Sequence, residues 1–227
     1  MSDRKIRGAP LPFPQAGSLD PGTTALFVID MQRDFCAEDG YMHRLGSDLA
    51  RLRAPVEPIA RLLAVARQAG LHVVHTREGY APDLSDLQPW KAAGPTNEAI
   101  GSEGPLGRAL VRGEHGWDFD DALLPADSEP VYDKTSYGAF ATTTLGDDLK
   151  ARNITAALIT GMTTDCCVTS SLREALDRGI DCMVVEDCVG AANELRHNAA
   201  LDIVRHASGV FGTLGQSHHV IAALSGS

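Results

Sequence analysis

The residue best suited to chemistry in this sequence is Cys167, which stands where a buried strand pattern changes into a helix pattern. The apolar run 156–160 precedes it, and apolar residues recur at helical spacing after it until Gly179. A thiol at the start of a helix lies over unpaired N–H groups and the positive end of the helix dipole. Both favour a thiolate, and the same N–H groups can receive an oxyanion. The segment alone also fits a cysteine that is only a small buried apolar residue.

Two further polar residues follow apolar strand patterns. Asp30 comes directly after 25–29, and Lys134 comes directly after 131–133. Because ligands of parallel sheets bind beyond the carboxyl ends of the strands, where strand order reverses, we expect these residues to converge with Cys167. Together they offer a base for the thiol proton, a cation that keeps the base ionised, and a nucleophile. Taken singly, Asp30 fits a turn cap and Lys134 fits a solvated surface amine.

The elements that must position these residues alternate between strands and helices. The predicted strands are 25–29, 71–75, 131–133, 156–160 and 182–185. The predicted helices are 55–69, about 144–152, the segment that follows Cys167, and 193–207. This alternation predicts an α/β fold of three layers, α/β/α, with a mainly parallel sheet covered by helices on both faces.

The 227 residues are enough for one domain, which we place at 23–227. Residues 1–22 carry four prolines and predict an extended N-terminal arm that packs on the surface or on a neighbouring subunit. Residues 79–128 break the strand–helix rhythm with five prolines and many glycines. We expect this excursion to shape the mouth of a pocket or a subunit contact.

Composition narrows the class of partner. The formal net charge of −10 argues against binding to nucleic acid or to an anionic membrane surface. We find neither an apolar run of membrane-spanning length nor the apolar core of a signal peptide. Five cysteines, two of them adjacent, are not a disulfide framework, so we expect a reducing cytoplasm.

Three segments of the chain carry a specific resemblance. They read VIDMQRDF at 28–35, DKTSYGAF at 133–140 and GMTTDCCV at 161–168. In these segments, and over about 24–213 as a whole, the chain resembles the isochorismatase-like cysteine hydrolases. The resemblance implies an isochorismatase-like α/β hydrolase fold.

The same resemblance implies roles for individual residues. Asp30 would be the base, Lys134 its partner and Cys167 the nucleophile. The N–H groups of Thr163 and Cys167 would form the oxyanion hole, after a cis peptide bond between residues 162 and 163. The adjacent Cys166 is the other thiol that could attack.

The sequence lacks residues that are typical of some subfamilies, which limits the subfamilies it can belong to. Nicotinamidases add an Asp-x-His…His metal cluster after the second strand, whereas the segment 76–83 holds no histidine and the next one is His115. We therefore expect no metal and no cofactor. Isochorismatases proper lack the cysteine. The closer resemblance is to biuret hydrolases, in HTREG at 75–79, GEHGWD at 113–118, EDC at 186–188 and GVFG at 209–212.

Biuret hydrolases carry a pocket glutamine where this sequence has Ala207. Loss of that amide removes a hydrogen-bonding partner and opens space, which favours a longer ureide, triuret, over biuret. We accordingly predict a cysteine amidohydrolase that cleaves a C–N bond of a small linear ureide and releases ammonia. Glu78 and Tyr137 would bind ureide N–H and C=O groups, and Phe35 would wall the pocket. Alternatively, Glu78 forms a surface ion pair with Arg77 or another arginine, and Phe35 lies in the core.

Other functions fit parts of the sequence. Ureidoacrylate or an N-carbamoyl amino acid is the alternative substrate. A thiol redox protein using Cys166 and Cys167 belongs to another class, although adjacent cysteines form a strained ring when bridged. A non-catalytic interaction protein would not need base, lysine and thiol together. The resemblance further implies a homo-oligomer, with a tetramer suggested.

Overall fold

The centre of the molecule, in a computed structural model that describes residues 4–92 and 99–226, is a six-stranded parallel sheet. Its strands are β1 Thr24–Ile29, β2 His72–Glu78, β3 Val131–Lys134, β4 Ala156–Met162, β5 Asp181–Gly190 and β6 Thr213–Gly215. They lie in the order β3-β2-β1-β4-β5-β6, and each neighbouring pair is parallel. The chain therefore builds outward from β1 to one edge and then returns to build the other half. Strand order reverses between β1 and β4.

Helices cover both faces of this sheet. They are α1 Arg33–Cys36, α2 Tyr41–Arg44, α3 Leu49–Arg53, α4 Val56–Ala69, α5 Pro89–Ala92, α6 Leu145–Ala151, α7 Thr169–Asp177, α8 Glu194–His206 and α9 Ser217–Ser225. A π-helical turn, Thr164–Val168, leads into α7. No helix in the described ranges is both long and apolar enough to cross a membrane.

The core consists of two apolar clusters, one on each face of the sheet. Leu26 of β1 belongs to the cluster shared with α4 and α9, while its neighbour Phe27 belongs to the cluster shared with α6 and α7. Successive strand residues point to opposite faces, so a strand that is apolar throughout must be covered on both sides. This packing confirms the predicted three-layer α/β/α fold.

The predicted elements are all present, with small differences in length. β2 runs to Glu78 and β5 runs to Gly190, so both are longer than predicted. Helix α4 ends where Gly70 adopts a left-handed conformation, with φ of 79°. β6, α9 and the short helices α1, α2, α3 and α5 were not predicted from the sequence. β6 has only three residues, which is too short to show a period of two.

The N-terminal arm packs on its own chain. Ile6 and Phe13 are buried and pair with each other, and Ala9 forms an antiparallel bridge to Leu214 of β6. The backbone N–H of Gln15 donates to the Asp181 carboxylate at the start of β5. The described part of the arm thus covers an edge strand, which would otherwise expose unpaired backbone groups.

The excursion 79–128 lies against the carboxyl ends of β1 and β2, and residues 93–98 fall outside the described ranges. The buried carboxylate of Asp34 anchors it by accepting the N–H of Leu110 at 2.8 Å. Burial raises the pKa of Asp34, and the hydrogen bonds from the backbone oppose that rise. Gln32 adds a bridge to Phe119. The described part of the excursion is therefore packed against the segment directly after β1.

Candidate active site

Four polar side chains meet at the carboxyl edge of the sheet. Asp30 follows β1, Glu78 ends β2, Lys134 ends β3, and Cys167 lies in the turn after β4. These four strands are consecutive in the sheet, and Glu78 is paired in register with Lys134. None of the four residues has more than 5% of its surface exposed. The structure thus brings together Asp30, Lys134 and Cys167 at the reversal of strand order.

Lys134 is fully enclosed and connects the other groups. Its Nζ lies 2.7 Å from Asp30 Oδ2 and donates to the carbonyl oxygens of Ser136 at 2.9 Å and Tyr137 at 3.0 Å. It also lies 3.6 Å from the Cys167 sulfur. Burial alone opposes the ammonium, but the surrounding carboxylates and the sulfur outweigh it and raise the pKa of Lys134. The alternative that Lys134 is a solvated surface amine is wrong.

Asp30 is held so that one carboxylate oxygen faces Lys134 and the other is bound from β2. The hydroxyl of Thr76 donates to Oδ1 at 2.6 Å. Asp30 has a left-handed backbone, with φ of 48°, a region that aspartate tolerates better than most residues. Burial raises the pKa of Asp30, while Lys134 and the Thr76 hydroxyl oppose that rise. A carboxylate with this balance is a stronger proton acceptor than an exposed one.

The Cys167 sulfur lies beside both the ammonium and a second carboxylate. Its S–H donates to Glu78 Oε2, with 3.4 Å between sulfur and oxygen. Hydrogen bonding with Cys166 and burial raise the pKa of Cys167 well above its usual value, and Lys134 opposes them. Desolvation thus acts against the thiolate that the helix start was expected to favour.

The chain around the sulfur makes a tight turn. The Met162–Thr163 peptide bond is cis, as the resemblance implies. The carbonyl oxygen of Thr163 accepts the N–H groups of Cys166 and Val168, which closes the π-helical turn. Thr163 is buried beside the sulfur-bearing turn, and its role with Cys167 in an oxyanion hole stays a prediction.

Glu78 is part of the site and does not pair with Arg77. Gln32 fixes the Glu78 backbone, accepting its N–H at 2.8 Å and donating to its carbonyl at 2.9 Å. On the side chain, Oε1 accepts the Tyr80 hydroxyl at 2.8 Å and lies 3.2 Å from Lys91 Nζ.

Arg77 points away from these groups. It pairs with Asp118 at 2.9 Å and with Asp133 at 2.8 Å. Glu78 is buried, and its ion partners among the described residues are Lys91 and Lys134. The alternative of a surface ion pair with Arg77 or another arginine is therefore wrong.

Sequence reasoning missed the residues that surround Glu78 and Asp30. Thr76 and Gln32 lie two residues from Glu78 and Asp30, just beyond the ends of the predicted strands, so polar residues at strand ends were an available signal. Tyr80 and Lys91 lie in the excursion, where the sequence shows no period. A buried lysine there depends on tertiary partners that no local pattern reveals.

Of the remaining predicted substrate residues, Tyr137 lies near the site and Phe35 lies in the core. Tyr137 is 44% exposed, and its ring centroid lies 3.9 Å from the Lys91 ammonium, at the outer side of the site. Phe35 is buried in the apolar cluster that includes α4 and α9. This placement supports the core alternative for Phe35.

Ala207 lies at the other end of the layer. It caps the carboxyl end of α8, the helix that runs from the catalytic edge back towards the start of β6. Near its beginning, α8 touches the nucleophile turn, where His197 Nδ1 lies 2.8 Å from Thr164 Oγ1. Ala207 follows His197 by ten residues, or ~15 Å at the α-helical rise. Ala207 therefore lies at the end of α8 away from its contact with the nucleophile turn, so this geometry lends the triuret preference no support.

The ligand atoms of Asp30, Glu78 and Cys167 all lie within 4.8 Å of one another, a spacing that would suit a metal ion. The ammonium of Lys134 already lies in contact with this group, 2.7 Å from Asp30 and 3.7 Å from Glu78. An ion placed there would face that positive charge, so Lys134 supplies the cation of this site. The arrangement combines a nucleophile, a base, a cation and a carboxylate acceptor, which suits addition of sulfur to an amide-type carbonyl.

Comparison with known proteins agrees with this chemistry. Residues 24–216 match the Isochorismatase domain family. The chain is 32% identical over 199 residues to the ureidoacrylate amidohydrolase RutB of Methylobacterium radiotolerans, covering 83% of this chain and 75% of the relative.

Two solved structures have a similar fold. A cysteine hydrolase from Pseudomonas syringae pv. phaseolicola superposes with a TM-score of 0.78 at 23% identity, over 100% of this chain and 99% of that chain. An N-carbamoylsarcosine amidase from Thermoplasma acidophilum superposes with a TM-score of 0.65 at 26% identity, over 86% and 96% of the two chains.

Proposed function

This chain belongs to the isochorismatase domain family, and we propose that it hydrolyses the C–N bond of a carbamoyl group in a small ureide, with release of ammonia. Two of the proteins reported above are named an amidohydrolase and an amidase, and the chain is an amidohydrolase of the same family. The observation that carries the proposal is the buried contact of Asp30, Lys134 and Cys167 beside Glu78. A thiol supplies the nucleophile, and a carboxylate with a raised pKa supplies the base.

The first half of the reaction makes a covalent intermediate. The Cys167 sulfur attacks the carbonyl carbon while its proton passes to Asp30, and the carbonyl oxygen becomes an oxyanion. The N–H groups of Thr163 and Cys167 receive that oxyanion. Collapse of the adduct breaks the C–N bond, and Asp30 returns the proton to the departing nitrogen, which leaves as ammonia or an amine.

The second half releases the product. Water gives a proton to Asp30 and adds to the thioester-like carbonyl carbon. The C–S bond then breaks, and the sulfur takes the proton back from Asp30. Lys134 stays charged throughout, because the carboxylates around it raise its pKa. Its role is to offset the negative charge that moves between the sulfur and Asp30.

The position of Glu78 favours a substrate that carries a carbamoyl group. Its Oε2 faces the sulfur as a hydrogen-bond acceptor, and an NH₂ group beside the reacting carbonyl is the donor that suits it. Ureidoacrylate and N-carbamoyl amino acids carry this group, and relatives of the chain are named for such substrates. We favour them over triuret, since the triuret argument depended on Ala207.

Ammonia release across a panel of amides tests the proposal. The panel contains ureidoacrylate, N-carbamoylsarcosine, biuret, triuret, urea and nicotinamide, with Cys167→Ala as the inactive control. We expect the highest kcat/KM for ureidoacrylate or the N-carbamoyl amino acid. A higher value for triuret would restore the longer ureide as the substrate. Turnover of nicotinamide alone, or of none of the ureides, would refute the proposal.

A further inference from the structure

A second buried lysine, Lys91, lies on the far side of Glu78 from Lys134. It belongs to α5 in the excursion, and only 4% of its side chain is exposed. Its Nζ lies 3.2 Å from Glu78 Oε1, whereas Lys134 Nζ lies 3.7 Å from Glu78 Oε2. The two oxygens of Glu78 are thus divided between two ammonium groups. The mechanism described above gives a role to only one of them.

The donors of Lys91 are already engaged by the protein. Its Nζ donates to the Tyr80 hydroxyl at 2.7 Å and to the carbonyl oxygen of Thr135 at 2.7 Å, besides Glu78. The Tyr80 hydroxyl in turn donates to Glu78 Oε1 at 2.8 Å. An ammonium has three N–H donors, and these three acceptors use them. Lys91 therefore acts on substrate through Glu78 rather than by direct contact.

Charge balance gives Lys91 a second effect. The buried site holds two carboxylates, Asp30 and Glu78, and two ammonium groups, Lys134 and Lys91. Burying a carboxylate without its counter-charge costs free energy, so the carboxylate pairs with any cation that remains within reach. Without Lys91, Glu78 would compete with Asp30 for Lys134.

We propose that Lys91 is a positioning residue for Glu78. Lys91 and Tyr80 hold Oε1, so that Oε2 faces the Cys167 sulfur and the incoming NH₂ group, and Lys134 is left to serve Asp30. The excursion thereby becomes part of the active site through α5. The substrate side of this inference rests on the proposed function, whereas its effect on the thiol does not.

A double-mutant cycle tests whether Lys91 acts through Glu78. The variants are Lys91→Met, Glu78→Gln and the pair together, and kcat/KM is measured on the best ureide of the panel. We expect Lys91→Met to lower kcat/KM by ~10²-fold, as for a broken buried pair that leaves one charge unpaired. The double variant should be no worse than Glu78→Gln, because the unpaired carboxylate is gone. Multiplication of the two losses would overturn the inference.

Two further variants separate a role through Glu78 from a general effect on folding. Lys150→Met removes an exposed lysine from α6 and should leave kcat/KM and Tm unchanged. Tyr80→Phe removes the hydroxyl between Lys91 and Glu78 without changing charge. It should lower kcat/KM less than Lys91→Met, and should have no effect in the Glu78→Gln background. An equal loss from Tyr80→Phe in both backgrounds would contradict a role through Glu78.

Alkylation of Cys167 gives a readout that needs no substrate. The rate of carbamidomethylation by iodoacetamide is followed at Cys167 by peptide mass spectrometry. We expect Lys91→Met to slow it, since the Glu78 carboxylate beside the sulfur then lacks its counter-charge and disfavours the thiolate. We expect no slowing in the Glu78→Gln background, where that carboxylate is absent. If no ureide is hydrolysed, the proposed function fails, yet this cycle still tests Lys91. The same slowing in both backgrounds, or none in either, would overturn the inference.

Discussion

The carboxyl edge of the sheet and the excursion 79–128 supply the site in different ways. Asp30, Lys134 and Cys167 lie at or just beyond the ends of β1, β3 and β4, where the parallel sheet fixes their separation. Tyr80 and Lys91 come from the excursion and are placed by their polar contacts with Glu78. In the proposed mechanism Asp30 and Cys167 exchange protons and form bonds beside the charge of Lys134, whereas the excursion groups orient a carboxylate. Substitutions at the strand ends should therefore remove the chemistry, and substitutions in the excursion should weaken it by degrees.

The largest expected effect separates the two adjacent thiols. Cys167→Ala should abolish ammonia release, because no other thiol touches both Lys134 and Glu78 in the described residues. Cys166→Ala should retain most of the rate. Steady-state assays of both variants, with Tm as the control for folding, provide the comparison. Equal losses in the two variants would mean that the attacking thiol is not fixed by its place after β4.

The base gives the next largest effect. Asp30→Asn keeps the shape of the side chain but cannot accept the thiol proton, so kcat should fall by at least the ~10²-fold typical of a lost general base. The measurement is single-turnover release of ammonia, which isolates the chemical step. Asp147→Asn, at an exposed aspartate of α6, is the control and should leave the rate unchanged. An unchanged rate in Asp30→Asn would contradict the mechanism.

The pH profile tests the environment of the same base. The reaction needs Asp30 ionised, and the ionised fraction grows as pH rises through its pKa. Burial raises that pKa above the usual carboxyl range. As pH is lowered past the pKa of Asp30, activity should fall by ~10-fold per pH unit. Thr76→Val removes a hydrogen bond to the carboxylate and should move this acid limb to higher pH. An acid limb that does not move in Thr76→Val would assign it to another group.

The difference between the two regions also explains what the sequence reveals. The groups at strand ends can be predicted from the sequence. An apolar run marks the strand, Asp30 or Lys134 follows it, and parallel strands present their carboxyl ends to one crevice. Lys91 is not readable in this way. Its burial depends on Glu78 and Tyr80, which form a pocket for an ammonium only after the excursion has folded onto β2.

Two other outcomes follow the same physical logic. β6 was missed because three residues carry no period, and it is defined by its pairing with β5 and with the arm. Ala207 was assigned to the pocket from a resemblance, whereas the direction of α8 places it towards the opposite edge of the sheet.

The expected homo-oligomer stays a prediction, which sedimentation equilibrium of the purified chain would check.

The smallest expected effect concerns Ala207. Ala207→Gln should change the ratio of kcat/KM for biuret and triuret by less than the ~10-fold that one buried hydrogen bond supplies, because Ala207 caps the far end of α8. Competition assays with both ureides measure the ratio, and Glu78→Gln provides a matched change at the catalytic edge. A clear shift towards biuret would show that Ala207, from this subunit or a neighbouring one, reaches the substrate.

The central claim is that the Cys167 thiol, beside Asp30, Lys134 and Glu78, is the group that reacts with the carbamoyl carbon. Partial alkylation with iodoacetamide, with labelling of each cysteine and residual activity measured on the same samples, tests it most directly. We predict that activity falls in proportion to the labelling of Cys167, and that a ureide substrate slows both. Activity that persists in protein labelled at Cys167, or that falls in step with Cys166 instead, would contradict the account.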